Sequence, residues 1–152
     1  MSYTRLLYHI IFRFKDTASI PIENERLLYK YIWGFVENKG AVLCRVGGMP
    51  DHIHIFVQLP ATIAVADFVR DLKVSTAKFL KEHHGDFPHF NGWGRSYCAL
   101  SYSENDKDKV VNYIRNQKEH HKKVSPRDEL LALLRESNVE VDMRYFMKDW
   151  ET

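Results

Sequence analysis

Two histidines stand one residue apart in "PDHIHIFVQLP", residues 50–60, where His52 and His54 alternate with isoleucines in a strand-like run. Side chains at i and i+2 of a strand point to the same face. Two imidazoles therefore interrupt one face only of a β-branched stretch, and imidazole is a good ligand for divalent transition metals. The pair alone does not choose between a metal site and two half-exposed histidines hydrogen-bonded on a sheet face. A metal site needs a further ligand, and "NYIRNQKEHH" offers one. Tyr113 and Gln117 lie four residues apart and so share a helix face. The glutamine carbonyl is a hard oxygen donor. With two imidazoles it makes an N/N/O set suited to Mn²⁺ and passable for Mg²⁺. Three protein ligands leave room for water and a substrate oxygen, which is a catalytic type of site. Tyr113 would stand beside it with a free hydroxyl.

These residues need elements to position them. "RLLYHIIFRF" (5–14) has Leu6, Tyr8, Ile10, Phe12 and Phe14 on one face and predicts a first strand. "ENERLLYKYIWGFVENKG" places Leu27, Leu28, Tyr31, Ile32, Phe35 and Val36 at helical spacing, with Gly40 as its stop. "AVLCRV" predicts a second strand, "GGMPD" a turn, and "HIHIFVQL" a third strand. A second helix is expected from Thr62, its N-cap, to His83, followed by a turn-rich loop over 84–95. "SYCALSY" predicts a fourth strand, "ENDKDKVVNYIRNQKEHHKK" a third helix, and "ELLALLRES" a last helix before an aromatic tail. The order is β-α-β-β-α-β, the ferredoxin-like split βαβ pattern of an α+β antiparallel sheet, with additional C-terminal helices carrying Tyr113. Ile53, Ile55, Val57 and Leu59 form the expected core face. His52, His54, Phe56 and Gln58 then fall on a second face expected to be open.

Composition narrows the class. The 152 residues suit one domain, 1–152, with a real core. A formal charge of +2 announces no nucleic-acid partner, so any such role rests on local clusters of Lys and Arg. Arg115, Lys118 and Lys122 cluster beside the candidate tyrosine, and Arg70 and Lys73 sit on the second helix. Each could contact nucleic-acid phosphates or belong to a solvated helix surface. Trp93 could stack on a base or anchor its loop. His83-His84 and His120-His121 are adjacent pairs that diverge on a helix, so neither is a ready chelate. His9 could orient the site, contact DNA or pack, and Asp51 is either a turn residue or a partner of the first histidine. Cys44 and Cys98 form no CxxC pair, which fits a reducing compartment. No apolar run approaches the about 18 residues of a membrane span, and the N-terminus lacks a signal peptide's organisation. A cytoplasmic protein is expected.

"PDHIHIF" on a strand, "NYIRNQ" on a later helix and the β-α-β-β-α-β order together resemble the HUH-class single-tyrosine transposases of small bacterial and archaeal insertion sequences. "YHIIFRFK", "VRDLKVSTAKFLK", "GWGRSYCALSYS" and "ELLALLRESNVEVDMRYFMKDW" are similar to the family's pattern too, so the likeness covers nearly the whole chain. It implies cleavage and rejoining of single-stranded DNA through a 5′-phosphotyrosine. Tyr113 would be the nucleophile, and His52, His54 and Gln117 the ligands of a Mg²⁺ or Mn²⁺ ion. It also implies recognition of DNA hairpins at element ends and a homodimer, often with each tyrosine helix serving the other subunit. Where many relatives continue with a basic threonine–lysine sequence, this chain has "FRFKDTAS", which lowers the expectation of DNA contacts from residues 13–19. Two other readings stay open: a domesticated relative that binds hairpins without cleaving, and a ferredoxin-like binding module whose histidines are incidental. Relaxase-like nicking enzymes share the chemistry but usually have a larger catalytic domain.

Overall fold

The structure is a computed structural model and describes residues 2–150, with side chains as far as residue 146. Strands β1 (Leu6–Arg13), β2 (Val42–Met49), β3 (His52–Leu59) and β4 (Cys98–Tyr102) form one sheet in the order β2-β3-β1-β4, every neighbouring pair antiparallel. Helices α1 (Glu25–Asn38) and α2 (Val65–Glu82) follow β1 and β3 as crossovers. This is the expected ferredoxin-like α+β arrangement. Ile10, Phe12 and Phe14 of the β1 segment join Ile53, Ile55, Val57 and Leu59 of β3 on one face. Leu28, Ile32 and Val36 of α1 and Phe68, Val69 and Leu72 of α2 cover them.

The other face is covered as well, which corrects the expectation that it is open. Helices α3 (Lys107–Arg115), α4 (Gln117–His120), α5 (Pro126–Glu136) and α6 (Met143–Trp150) follow β4. Val110 and Ile114 of α3 pack on Leu7 and Phe56. Leu130 of α5 and Phe146 of α6 pack on Ile11, Cys98 and Leu100. A sheet buried on both faces loses the apolar–polar alternation of a one-sided one. That is why β1 is apolar at odd as well as even positions.

Several boundaries differ from the sequence pattern, each for a local reason. β2 continues through Gly47 and Gly48, leaving Pro50 and Asp51 as the turn. Gly47 belongs in the strand because α3 lies close above it. A Cβ there would meet both the side chain and the carbonyl oxygen of Ile114 at 3.0 Å. The third helix is not continuous. It breaks at Asn116, a residue whose side chain competes for backbone hydrogen bonds, and resumes as α4. Ala64, not Thr62, precedes α2. α5 begins three residues early, because Ser125 accepts a hydrogen bond from the Asp128 N–H and Pro126 occupies the first turn. Trp93 is a loop anchor: its ring stacks on Phe14 at 4.3 Å and its N–H donates to Thr76.

Phe56 is fully buried between β1 and α3 and is what α3 rests on. Phe56→Ala is expected to lower unfolding free energy by about 3–5 kcal/mol, read from urea denaturation. A change under about 1 kcal/mol would mean that α3 does not depend on this contact.

Candidate metal centre and tyrosine

β3 presents His52 and His54 to the helix-covered face, where both are buried. Gln117 and Glu129 are buried with them. Four groups, His52, His54, His121 and Glu129, bring one ligand atom each to within 4.8 Å of one another. Glu129 Oε1 lies 3.0 Å from Nε2 of His54, 3.3 Å from Nε2 of His121 and 3.6 Å from Nε2 of His52. The Gln117 carbonyl oxygen is 3.3 Å from Nε2 of His52 and 3.0 Å from Nε2 of His121. Its amide nitrogen donates to Glu129 Oε2 over 2.8 Å.

Each imidazole is held from behind. Nδ1 of His52 is 2.7 Å from Asp51, Nδ1 of His54 is 2.7 Å from Nε2 of His9, and Nδ1 of His121 is 2.7 Å from the Val124 carbonyl. All three rings thus turn Nε2 inward. Outer partners that orient ring nitrogens in this way are the usual companions of metal-bound histidine. The nitrogen and oxygen donors fit a divalent first-row metal, and the nitrogen-rich set favours Mn²⁺ over Mg²⁺.

Burial opposes the charge on His52, but hydrogen bonds and the negative charges of Asp51 and Glu129 outweigh it, raising its pKa to about 9. Burial pushes His54 down to about 4 and His9 down to about 3, so both are neutral near pH 7. Burial also opposes ionisation of Glu129. Hydrogen bonds from His121, His52 and His54 more than offset it and hold the carboxyl well below the usual carboxylate range. Arg13, the β1 partner of His52, is buried on the same face, and its charge helps to keep Asp51 ionised.

Tyr113 borders the cluster. Its hydroxyl donates to Glu129 Oε2 over 2.5 Å and lies 3.5 Å from Nε2 of His120. Burial and then the Glu129 charge push its pKa above that of an ordinary tyrosine. The Tyr113 and His120 side chains are partly exposed, whereas those of His52, His54, His121 and Glu129 are buried.

The structure thus brings together His52, His54, Gln117 and Tyr113, and it adds Glu129 and His121. Sequence reasoning missed both additions. A carboxylate in the first turn after a Ser-Pro cap reads as ordinary helix capping and dipole pairing. The His120-His121 pair was set aside because neighbours on a helix diverge. α4 ends at His120, however, and His121 lies in the following turn, so both rings reach Glu129. His9 proves to be a buried partner of His54, and Asp51, at the partly exposed turn before β3, is a partner of His52. The basic residues divide. Arg70 is paired with Asp67 and Asp71, and Lys73 donates to the Gly94 carbonyl; both stand on α2, across the sheet from the cluster. Arg115 and Lys118 flank Gln117, and Lys122 pairs with Glu119 at the surface. No helix of the described residues is long and apolar enough to cross a membrane.

A ferredoxin-like sheet carrying a histidine–hydrophobe–histidine strand, with a tyrosine brought onto it by a later helix, defines the class of the single-tyrosine transposases. Comparison with known proteins agrees. Residues 2–117 match the family model described as "Transposase IS200 like", and the chain belongs to that family. It is 32% identical over 118 residues to the ISDra2 transposase TnpA of Deinococcus radiodurans, covering 74% of this chain and 84% of that protein. It is 28% identical over 121 residues to the transposase for insertion sequence element IS200 of Salmonella typhimurium, covering 76% and 78%. Among solved structures, a candidate transposase from D. radiodurans R1 superposes with a TM-score of 0.60 at 28% identity, covering 76% of this chain and 93% of that one. The REP-associated tyrosine transposase bound to a REP hairpin superposes with a TM-score of 0.58 at 14% identity, covering 82% and 73%, a likeness of fold alone.

If His121 is a ligand, His121→Ala is expected to weaken Mn²⁺ binding by about 10–100-fold, measured by calorimetric titration. His84→Ala, at an exposed position away from the cluster, serves as the control and should bind Mn²⁺ as the parent does. Equal affinities for the two variants would remove His121 from the ligand set.

Proposed function

We propose that this chain, acting as one catalytic unit over residues 1–152, cleaves and rejoins single-stranded DNA at insertion-sequence ends through Tyr113. The observation that carries this reading is the Tyr113 hydroxyl, hydrogen-bonded to Glu129 at the partly exposed edge of a buried His52–His54–Gln117–His121–Glu129 cluster. When bound by that cluster, Mn²⁺ or Mg²⁺ would supply positive charge and Lewis acidity to a non-bridging oxygen of the scissile phosphate.

The chain's own residues account for the remaining steps. An unperturbed tyrosine ionises near about 10, and the surroundings of Tyr113 raise it further. The phenol therefore attacks as its proton leaves, and Glu129 Oε2 is the atom to which that proton already points. The tyrosine oxygen forms a bond to phosphorus, and the bond from phosphorus to the 3′ oxygen breaks. A proton passes to that oxygen, giving a 3′-hydroxyl and a 5′-phosphotyrosine. The covalent link retains the phosphodiester's energy, so attack by another 3′-hydroxyl reverses the step and joins a new strand. Gln117 ties the tyrosine to the histidines, since its carbonyl faces His52 and its amide holds Glu129. Arg115, Lys118 and Lys122, on or just after the helices that carry Tyr113 and Gln117, are the basic residues proposed to meet the DNA. The partner is the single-stranded DNA of hairpin element ends, and the homodimer is its proposed assembly. Tyr113 can reach the histidines of its own chain through Glu129, which is compatible with each subunit using its own tyrosine.

Incubation with Mn²⁺ and labelled single strands flanking the gene is expected to yield a denaturant-resistant protein–DNA adduct. The adduct should vanish in Tyr113→Phe and on chelation. Tight metal-independent hairpin binding with no adduct would instead favour a DNA-hairpin-binding relative. Mixing Tyr113→Phe with His54→Ala separates the two assemblies: no adduct is expected from the mixture if each tyrosine serves its own histidines, and recovered adduct would place them in different subunits.

A further inference from the structure

A second concave site lies at the edge of the sheet. Its volume is about 560 Å³, within the about 300–1,000 Å³ range typical of small-ligand sites. The N-terminal part of α1 forms one wall, through Glu25, Arg26 and Tyr29. Arg45 to Gly48 of β2 form the floor, and the junction of α3 and α4, from Ile114 to Glu119, closes the other side. The break at Asn116 and the close approach of Ile114 to Gly47 shape this cleft.

Its charge is unbalanced. Both carboxylates on its rim are already engaged, Glu25 with Lys118 at 2.8 Å and Glu119 with Lys122 at 3.0 Å. Arg26, Arg45 and Arg115 line the same cleft, all three are exposed, and none forms an ion pair with any described residue. Three unpaired guanidiniums around one hollow suit phosphate oxygens, which arginine holds in forked geometry. The wall also carries the ring of Tyr29 and the exposed amide of Asn116, an aromatic surface and a donor–acceptor pair that suit a base. Gln117 belongs to both places: it lines the cleft, and its side chain sits in the histidine cluster.

We infer that this cleft between α1, β2 and the α3–α4 junction binds unpaired nucleotides of the DNA strand next to the cleavage point, with Arg26, Arg45 and Arg115 on their phosphates. The inference rests on the single-strand cleavage reading above and adds a substrate subsite to it. The Tyr29 ring and the Asn116 amide can meet the face and edges of an unpaired base, which a paired stem keeps stacked and paired, so the site favours single-stranded DNA.

The test compares the parent protein with Arg26→Ala/Arg45→Ala by fluorescence anisotropy over a range of salt. The probes are a labelled single strand and a blunt hairpin of the same composition. The double variant is expected to bind the single strand about tenfold more weakly, with the slope of log affinity against log salt reduced by about 1.4 for two lost phosphate contacts. Blunt-hairpin affinity and Mn²⁺ affinity should be unchanged, and Arg45→Lys should recover part of the loss. Unchanged single-strand affinity and slope in the double variant, with adduct formation by the parent intact, would overturn the cleft and leave the cleavage reading standing. An equal loss for both probes would also overturn it, since that outcome reports general charge. A parent that binds no single strand and forms no adduct would remove the cleavage reading and the subsite together.

Discussion

Glu129 is the group on which the site's organisation depends. A buried carboxylate stays ionised only when charge and hydrogen bonds surround it, and breaking such a set by removing one partner typically costs about 3–5 kcal/mol. Here the partners come from β3, α3, α4 and the turn after α4, through His54, Tyr113, Gln117 and His121. One carboxylate on α5 therefore pulls four other parts of the chain into register around itself. Its own pKa is held down by the same histidines whose Nε2 atoms face it. The rings cannot turn away, because Asp51, His9 and the Val124 carbonyl hold them from behind.

The rest of the fold reads as support for that convergence. The sheet is buried twice, once under α1 and α2 and once under α3 and α5, so β3 can carry isoleucines into one core and histidines into a closed polar site opposite. Gly47 lets α3 approach β2 closely enough for Tyr113 and Gln117 to reach the histidines. The break at Asn116 then directs the chain so that Gln117 is buried while Arg115 remains at the surface. Family membership follows from the match over residues 2–117, which ends at Gln117. Glu129 and His121 lie beyond it, so their place in the site rests on this chain's own geometry.

The sequence by itself determined the element order and the split βαβ topology, and it nominated His52, His54, Tyr113 and Gln117, which the structure places together. Those readings depend on local periodicity and on residue types at short spacings, which the backbone translates directly into faces of strands and helices. It did not determine the covered second face. An apolar residue on either side of a strand looks the same whether a helix from the chain's end returns to bury it or not. Nor did it determine Glu129 or His121, whose local contexts read as a helix cap and as a divergent pair. Only the tertiary structure decided that α5 docks on β1 and β4 and so brings Glu129 to the histidines of β3. A carboxylate in a helix's first turn gains its meaning from imidazoles such as that of His54, 75 residues away along the chain, and contacts of that separation are set by packing, not by spacing.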